Sequence, residues 1–233
     1  MISYQYTYLL MALGFSLVWF LLFLIRKDTR KEMIICSTLI SITGPALNFL
    51  FVQDWWHPIS FFDGTRTAIL ESLIVAFFIG GVASVPYEIL FKKRLKQKKK
   101  IFEVKGDIKF FNLAVIGAIF FFGSFYILGI NSFISSLICF SAPLLVILYK
   151  RKDLIKNSIL SGILMIPIVI VVYTFIELIT PGWINAFWLW QNTPEIIILN
   201  VPIDDMIHYM FIGALAGPIY EYMREGKLIN MKR

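Results

Sequence analysis

Residues 158–176 read SILSGILMIPIVIVVYTFI, nineteen positions without a charged side chain. A helix rises about 1.5 Å per residue, so this stretch alone reaches about 30 Å, the thickness of a bilayer's hydrocarbon core. Leu9–Ile25 and Phe110–Ile130 are runs of the same kind, and neither contains Lys or Arg. Lipid offers the backbone no hydrogen-bond partners, so a spanning segment is either a helix or a strand of a closed barrel. Barrel strands alternate apolar and polar residues, and these runs do not. Composition agrees: 58% of the 233 residues are hydrophobic, 16% are charged and the mean hydropathy is +0.76. A soluble domain of this length would need more polar surface to cover its core. The pattern predicts an all-α membrane protein of seven transmembrane helices over residues 4–25, 33–52, 67–91, 109–129, 131–149, 157–179 and 202–223.

The net charge of +7 raises the question of a nucleic-acid partner, and its distribution answers it. Arg26, Lys27, Arg30 and Lys31 fall between the first two predicted helices, and nine lysines and arginines from Lys92 to Lys109 fall between the third and fourth. Lys150, Arg151, Lys152 and Lys156 separate the fifth from the sixth, and Arg224, Lys227, Lys232 and Arg233 follow the seventh. Twenty-one of the 22 basic residues thus collect on one side and only Arg66 is left on the other. This is the positive-inside signature of membrane topology, with the N-terminus outside, the C-terminus cytoplasmic and the plasma membrane as the expected location. The run Lys92–Lys100 would also attract anionic lipid, but orienting the chain accounts for it. Membrane lipid is an expected partner and nucleic acid is not. The first helix lacks a basic leader and a small-residue cleavage site, so it reads as retained. Cys36 and Cys139 fall inside predicted helices as apolar filler, with neither disulfide nor metal-ligand spacing.

Two stretches match at a constant offset of 133 positions, without a gap. Trp55, Glu71-Ser72, Phe78-Ile79-Gly80, Ala83 and Tyr87-Glu88 correspond to Trp188, Asp204-Asp205, Phe211-Ile212-Gly213, Ala216 and Tyr220-Glu221. Roughly the same offset lays helices one to three on five to seven and leaves helix four as a connector. The implied organisation is a first three-helix repeat over residues 1–91, a basic loop and connector over 92–130, and a second repeat over 131–233. Both triplets begin on the same side, so the 3+1+3 repeats are parallel, with a functional cavity expected between them. Gly80, Gly81, Ala83, Gly213, Ala214, Ala216 and Gly217 would let helices three and seven approach their neighbours closely.

Ionisable side chains within a membrane helix are expensive, and each needs a reason. Glu71, Asp204, Asp205 and His208 fall near the outer ends of helices three and seven, and Glu177 near that of helix six. Asp54, His57 and Asp63 lie in the outer connection before helix three. Asp204 and His208 are four residues apart and share a helical face. A carboxyl buried among Trp55, Trp56, Trp183, Trp188 and Trp190 would be held protonated, as a general acid must be. The plainer alternative is that Asp204 and Asp205 cap a helix while the tryptophans form an interfacial belt. The occurrence of Glu71 and Asp204 at matching positions favours function. At the inner ends, Glu88 and Glu221 stand four and three residues before Lys92 and Arg224, a spacing that suits surface ion pairs. Dinucleotide, phosphate-loop, paired-His zinc and Asp-rich magnesium motifs are absent from the sequence, so no metal is expected. Helix seven also holds no Lys to form a retinal Schiff base.

Trp188-Leu189-Trp190, then Val201-Pro202-Ile203-Asp204-Asp205 and Tyr220-Glu221, resembles the small integral-membrane lycopene cyclases, which occur as paired three-helix subunits or fused chains. Those proteins carry a Trp-rich outer loop and a Pro-Ile-Glu-Glu-like segment opening a Phe-rich helix that ends in Tyr-Glu. Asp54-Trp55-Trp56, Ile69-Leu70-Glu71-Ser72 and Tyr87-Glu88 echo the pattern in the first half. Here Pro-Ile-Glu-Glu is Pro-Ile-Asp-Asp in one half and Ile-Leu-Glu-Ser in the other. The resemblance implies an isomerase (intramolecular lyase) of carotenoid biosynthesis that cyclises the end of lycopene or a related linear carotenoid by proton delivery, without net redox. It gives Glu71 and Asp204 the acid roles, Asp205 or His208 the base or tuning role, and Trp55 and Trp188 the cation-facing role. Trp56, Trp190 and Glu177 complete the expected substrate site. No cofactor is required in principle, while recruitment of a flavin and the oligomeric state stay open. The alternatives are a 3+1+3 small-solute transporter, or a carotenoid- or isoprenoid-binding membrane protein without the chemistry. Against the first, the Pro-Gln pairs typical of such carriers are replaced by Val52-Gln53-Asp54 and Trp190-Gln191-Asn192.

Overall fold

The computed structural model describes residues 3–62, 68–96 and 103–231, with side chains from Ile108 onward in the last stretch. Asp63, Arg66, Lys98, Lys99, Lys100, Lys232 and Arg233 lie outside the described residues, as does the side chain of Lys105. The helices are α1 (Thr7–Ile25), α2 (Arg30–Phe51), α3 (Ile69–Ser84), α4 (Pro86–Leu90), α5 (Glu103–Phe122), α6 (Ser132–Lys150), α7 (Ile155–Ile179), α8 (Trp183–Phe187) and α9 (Ile203–Arg224). Four short strands join them: β1 (Lys93–Lys96), β2 (Ile197–Ile198), β3 (Val201–Pro202) and β4 (Lys227–Asn230).

Among the described residues, six helical segments are long and apolar enough to cross a membrane: 4–25, 30–51, 69–90, 108–127, 132–150 and 152–179. The chain is an integral membrane protein. The 22-residue α9 is as long, but it carries Asp204, Asp205, Glu221 and Arg224 and so falls short on composition. Its buried positions run from Asp204 to Met223, which places it within the bundle instead of on the lipid face. Pro45, Pro143, Pro167 and Pro218 sit inside helices, where neighbouring helices make such breaks tolerable.

α3 and α9 form the centre. α1 and α2 pack on α3, α6 and α7 pack on α9, and the two central helices touch each other. α5 packs mainly on α6. The contacts of α3 and α9 rely on small residues at matching places. A Cβ on Gly80 would lie 2.9 Å from the Cys36 carbonyl oxygen, and one on Gly213 would lie 2.7 Å from that of Ser161. Neither space accepts a larger residue without moving backbone.

The basic end is held by two arginines in nearly identical surroundings. Arg26 donates from Nε and Nη2 to the Asp28 carboxylate at 2.8 and 2.7 Å, and from Nη1 and Nη2 to the carbonyls of Glu88 and Lys93 at 3.1 and 2.7 Å. Arg151 makes the same fork to Asp153, both bonds 2.8 Å, and reaches the carbonyls of Glu221 and Gly226 at 3.4 and 2.7 Å. The hydrogen bonds from Arg26 hold the Asp28 carboxyl below its usual pKa. Each arginine ties the turn between two helices to the chain leaving α4 or α9. That chain passes through a left-handed residue in both places, Lys92 at φ 50° and Glu225 at φ 51°. It then enters β1 or β4, which pair antiparallel with Lys93 opposite Asn230.

Because the guanidinium fork fits both a carboxylate and two carbonyls, lysine cannot replace it. Arg151→Ala and Arg151→Lys should each lower the stability of the detergent-solubilised protein by about 1–3 kcal/mol. Thermal unfolding followed by circular dichroism checks this, and an unshifted Arg151→Lys transition would show that charge alone suffices.

Candidate functional site

The Trp-rich loops meet at the opposite end. Trp56 and Trp188 form an isolated antiparallel bridge, flanked by His57 N–H donating to Phe187 O at 2.6 Å and Leu189 N–H to Trp55 O at 2.8 Å. This clasp brings the loop after α2 against the segment after α8. Asp54 and His57 serve the loops: Asp54 Oδ2 accepts from Ser132 N–H at 2.9 Å, and His57 Nε2 lies 2.6 Å from Val52 O. Glu177 accepts from Gly182 N–H at 2.9 Å and shapes the turn into α8. Trp190 is half-buried against Trp188, with ring centroids 6.4 Å apart.

Beneath the clasp lies a cavity of about 390 Å³, within the range of ~300–1,000 Å³ usual for small-molecule sites. Its wall on α9 extends from Asp205 to Ile219, about 21 Å along the axis at ~1.5 Å per residue. It is therefore long and narrow. Polar side chains gather at its Trp-rich end, where Tyr8, Ser72, Tyr173, Asp205 and His208 face it, and Trp55, Trp56 and Trp188 close it. The remaining wall is almost wholly apolar.

The sequence-predicted acids part company here. Asp205 lines the cavity and accepts a hydrogen bond from the Tyr173 hydroxyl. Asp204, one residue earlier, points elsewhere: its Oδ2 accepts the indole N–H of both Trp55 and Trp188, the latter at 3.0 Å. It fixes the two rings that form the cavity's end without lining the cavity itself. Glu71 is buried but turned toward the loop, where its Oε1 accepts from Ser60 Oγ and Phe61 N–H at 2.7 Å each and from Phe62 N–H at 3.3 Å. Ser72, the counterpart of Asp205 in the first half, faces the cavity and lies 3.1 Å from the Tyr8 hydroxyl.

His208 sits in an aromatic box, its ring centroid 4.9 Å from Trp55, 5.2 Å from Phe140 and 5.5 Å from Phe51. Its Nδ1 is 3.0 Å from Ser136 Oγ. Asp204 and His208 do share a face, but they contact opposite parts of Trp55, the N–H and the ring. Tyr8, Tyr173 and Tyr209 are wall residues that sequence reasoning passed over. Tyr173 had a signal, being the one tyrosine in the uncharged run 158–176. Tyr8 and Tyr209 had none that separated them from the other aromatics.

Fold and site together define a helical membrane protein with an elongated apolar cavity ending in a carboxyl, an imidazole and tryptophan side chains. Residues 131–223, covering α6 to α9, match the family model of lycopene cyclase. That match covers 93 of the 233 residues and makes this part of the chain similar to the lycopene cyclase family. No curated protein and no solved structure matches the chain.

Indole N–H groups only donate, so Asp204 is the acceptor in both of its bonds. Asp204→Leu leaves two buried donors unanswered and should cost about 1–3 kcal/mol for each. In a double-mutant cycle read by thermal unfolding, Trp188→Phe should then cost less in the Asp204→Leu background than in the wild type. Additive losses would mean that the bond does not couple the two residues.

Proposed function

We propose that this protein is a carotenoid end-group cyclase that closes a ring at the terminus of lycopene or a related linear polyene. The observation that carries the reading is the polar end of the cavity, where Asp205 and His208 face a long apolar space closed by Trp55 and Trp188. Cyclisation begins when a proton adds to the terminal double bond and leaves a tertiary carbocation. A neighbouring double bond attacks it, closes a six-membered ring and carries the charge into that ring. Loss of a proton then restores a double bond. One proton enters and one leaves, so the balance requires neither redox nor a departing group.

Asp205 is the proton donor in this scheme, because it is the acid with a side chain on the cavity wall. After transfer, the Tyr173 hydroxyl donates to the carboxylate left behind. Trp55 and Trp188 turn ring faces toward the developing cation, an interaction worth about 2 kcal/mol or more when desolvated. Asp204 and Glu71 act at one remove, Asp204 by orienting those two rings and Glu71 by ordering the loop at residues 60–62. His208 takes the departing proton. It stands one turn from Asp205 on the same helix, so the pair can reset by passing the proton back.

The cavity also suits a substrate that never leaves the bilayer. Ile42 and Ala46 on α2 and Phe122 on α5 line it and are exposed on the protein surface, and α2 and α5 scarcely touch. A polyene end can slide in from the lipid between these helices while the rest of the chain stays in the membrane. A water-soluble solute would need openings at the two ends of the bundle instead, which makes the transporter reading the weaker one.

In this account the chain is two parallel three-helix units with α5 as connector, and α9 is the seventh span. The matched surroundings of Arg26 and Arg151, and of Gly80 and Gly213, support the repeat. The clustering of 21 of the 22 basic residues supports a cytoplasmic C-terminus and an external N-terminus in the plasma membrane.

Expression in cells that accumulate lycopene, followed by pigment analysis, tests the proposal. Wild type should yield ring-bearing carotenoids. Asp205→Asn should lower ring formation by about 100-fold or more, the scale of a lost general acid, whereas Glu71→Gln should retain most of it. Unchanged lycopene with a well-inserted wild type would overturn the cyclase reading and leave a binding role. Separately, Ala114→Phe and Ala118→Phe on the α5 side of the opening should slow conversion without lowering the amount of inserted protein.

A further inference from the structure

The inner glutamates do not form the surface ion pairs that their spacing to Lys92 and Arg224 suggests. Glu32 on α2, Glu88 on α4 and Glu221 on α9 are all buried, with exposures of 4%, 1% and 0%. One oxygen from each lies within 4.8 Å of the others. The group is outside the cavity lining, so the cyclase scheme does not use it.

The arginines beside the cluster do not hydrogen-bond its carboxylates. Arg26 and Arg151 spend their donors on Asp28, Asp153 and backbone carbonyls, including those of Glu88 and Glu221 but not their carboxylates. Among the described residues, Asn157 is the side chain that donates hydrogen bonds to the cluster. Its Nδ2 donates to Glu221 Oε1 at 2.9 Å and Glu88 Oε1 at 3.3 Å, while its Oδ1 is occupied by the Ser161 hydroxyl at 2.9 Å. This leaves Glu32 Oε1, Glu88 Oε2 and Glu221 Oε2, each buried and without a hydrogen-bond partner among the described residues.

We infer that Glu32, Glu88 and Glu221 form a site for one hard divalent cation of the magnesium and calcium class, which joins α2, α4 and α9 at the basic end. Carboxylate oxygens are the donors such ions take, at about 2.0–2.6 Å, so opposed ligands stand about 4–5 Å apart. The spacing of the three fits. Asn157 holds one oxygen of each of two ligands and leaves the other free, the orienting role that neighbours of metal ligands commonly play. The sequence gives no local sign of the site, since its ligands come from positions 32, 88 and 221.

The test uses the full-length protein in detergent, stripped with chelator and titrated with Mn²⁺ while the electron paramagnetic resonance signal of the free ion is followed. The expected result is saturable binding of one Mn²⁺ per chain, displaced by Ca²⁺ or Mg²⁺, with a rise in melting temperature when any of the three is added. Glu88→Gln/Glu221→Gln should abolish it, and Asn157→Ala should weaken it by about 10–100-fold. If the double variant fails to fold, the wild-type titration and Asn157→Ala decide. A folded wild type that binds no Mn²⁺ at millimolar concentration, with no divalent ion moving its melting transition, would overturn the site and leave protons as the neutralising species. Neither result depends on substrate, so the outcome stands apart from that of the cyclase assay.

Discussion

Hydrocarbon answers no polar group, so a donor, acceptor or charge buried in this molecule is costly unless another part of the chain or a bound ion answers it. That constraint explains where its unusual residues lie. Asp204 can be buried because two indole N–H groups converge on it, and in return it fixes the orientation of both rings. Asp205 is met by a tyrosine hydroxyl from α7 and His208 by a serine hydroxyl from α6. At the basic end, Arg26 and Arg151 each divide one guanidinium between a carboxylate and two carbonyls, so the charge is satisfied as the helix turns are tied down. Polar groups in this bundle act as fasteners, and the functional site is built from the same kind of bonds.

Consecutive acids show how finely this works. Asp204 and Asp205 differ by one position on α9, about 100° of helical turn. One therefore points to the tryptophan loops and the other into the cavity. Holding an aromatic wall and offering a proton are different tasks, and the proposed scheme gives them to neighbouring residues. In the first half, Glu71 takes a loop-ordering role and Ser72 faces the cavity without an acid function. The site is thus asymmetric although the surroundings of its two halves are alike. Among the described residues Asp205 is the one carboxyl on the cavity wall, so in the proposed scheme ring closure happens at one place in the protein.

The helices were legible because long uncharged runs have one solution in lipid, and each stretch read as a helix is largely helical. The 133-residue offset also pointed to residues that come together, since Trp55 and Trp188 meet on Asp204. Side-chain direction was not legible. Glu71 and Asp204 occupy matched positions, yet loop residues 60–62 claim the first and indoles the second, and neither choice leaves a mark in the spacing. Tyr173 reaches Asp205 across 32 positions. Glu88 and Glu221 read locally as partners of Lys92 and Arg224, and only the packing of α2, α4 and α9 turns them inward toward Glu32. α9 itself is too polar for composition alone to class it as a span, because its polar residues are answered by its neighbours.

The central claim is that a proton from the protein starts ring closure, and single-turnover labelling tests it most directly. Protein equilibrated in D₂O is held in excess over lycopene, so that each site closes one ring before any proton is recycled, and the product is examined by mass spectrometry. The account predicts one deuterium in each new ring. Ring-bearing product that carries no deuterium would contradict it, because the initiating proton would then not have come from an exchangeable group of the protein.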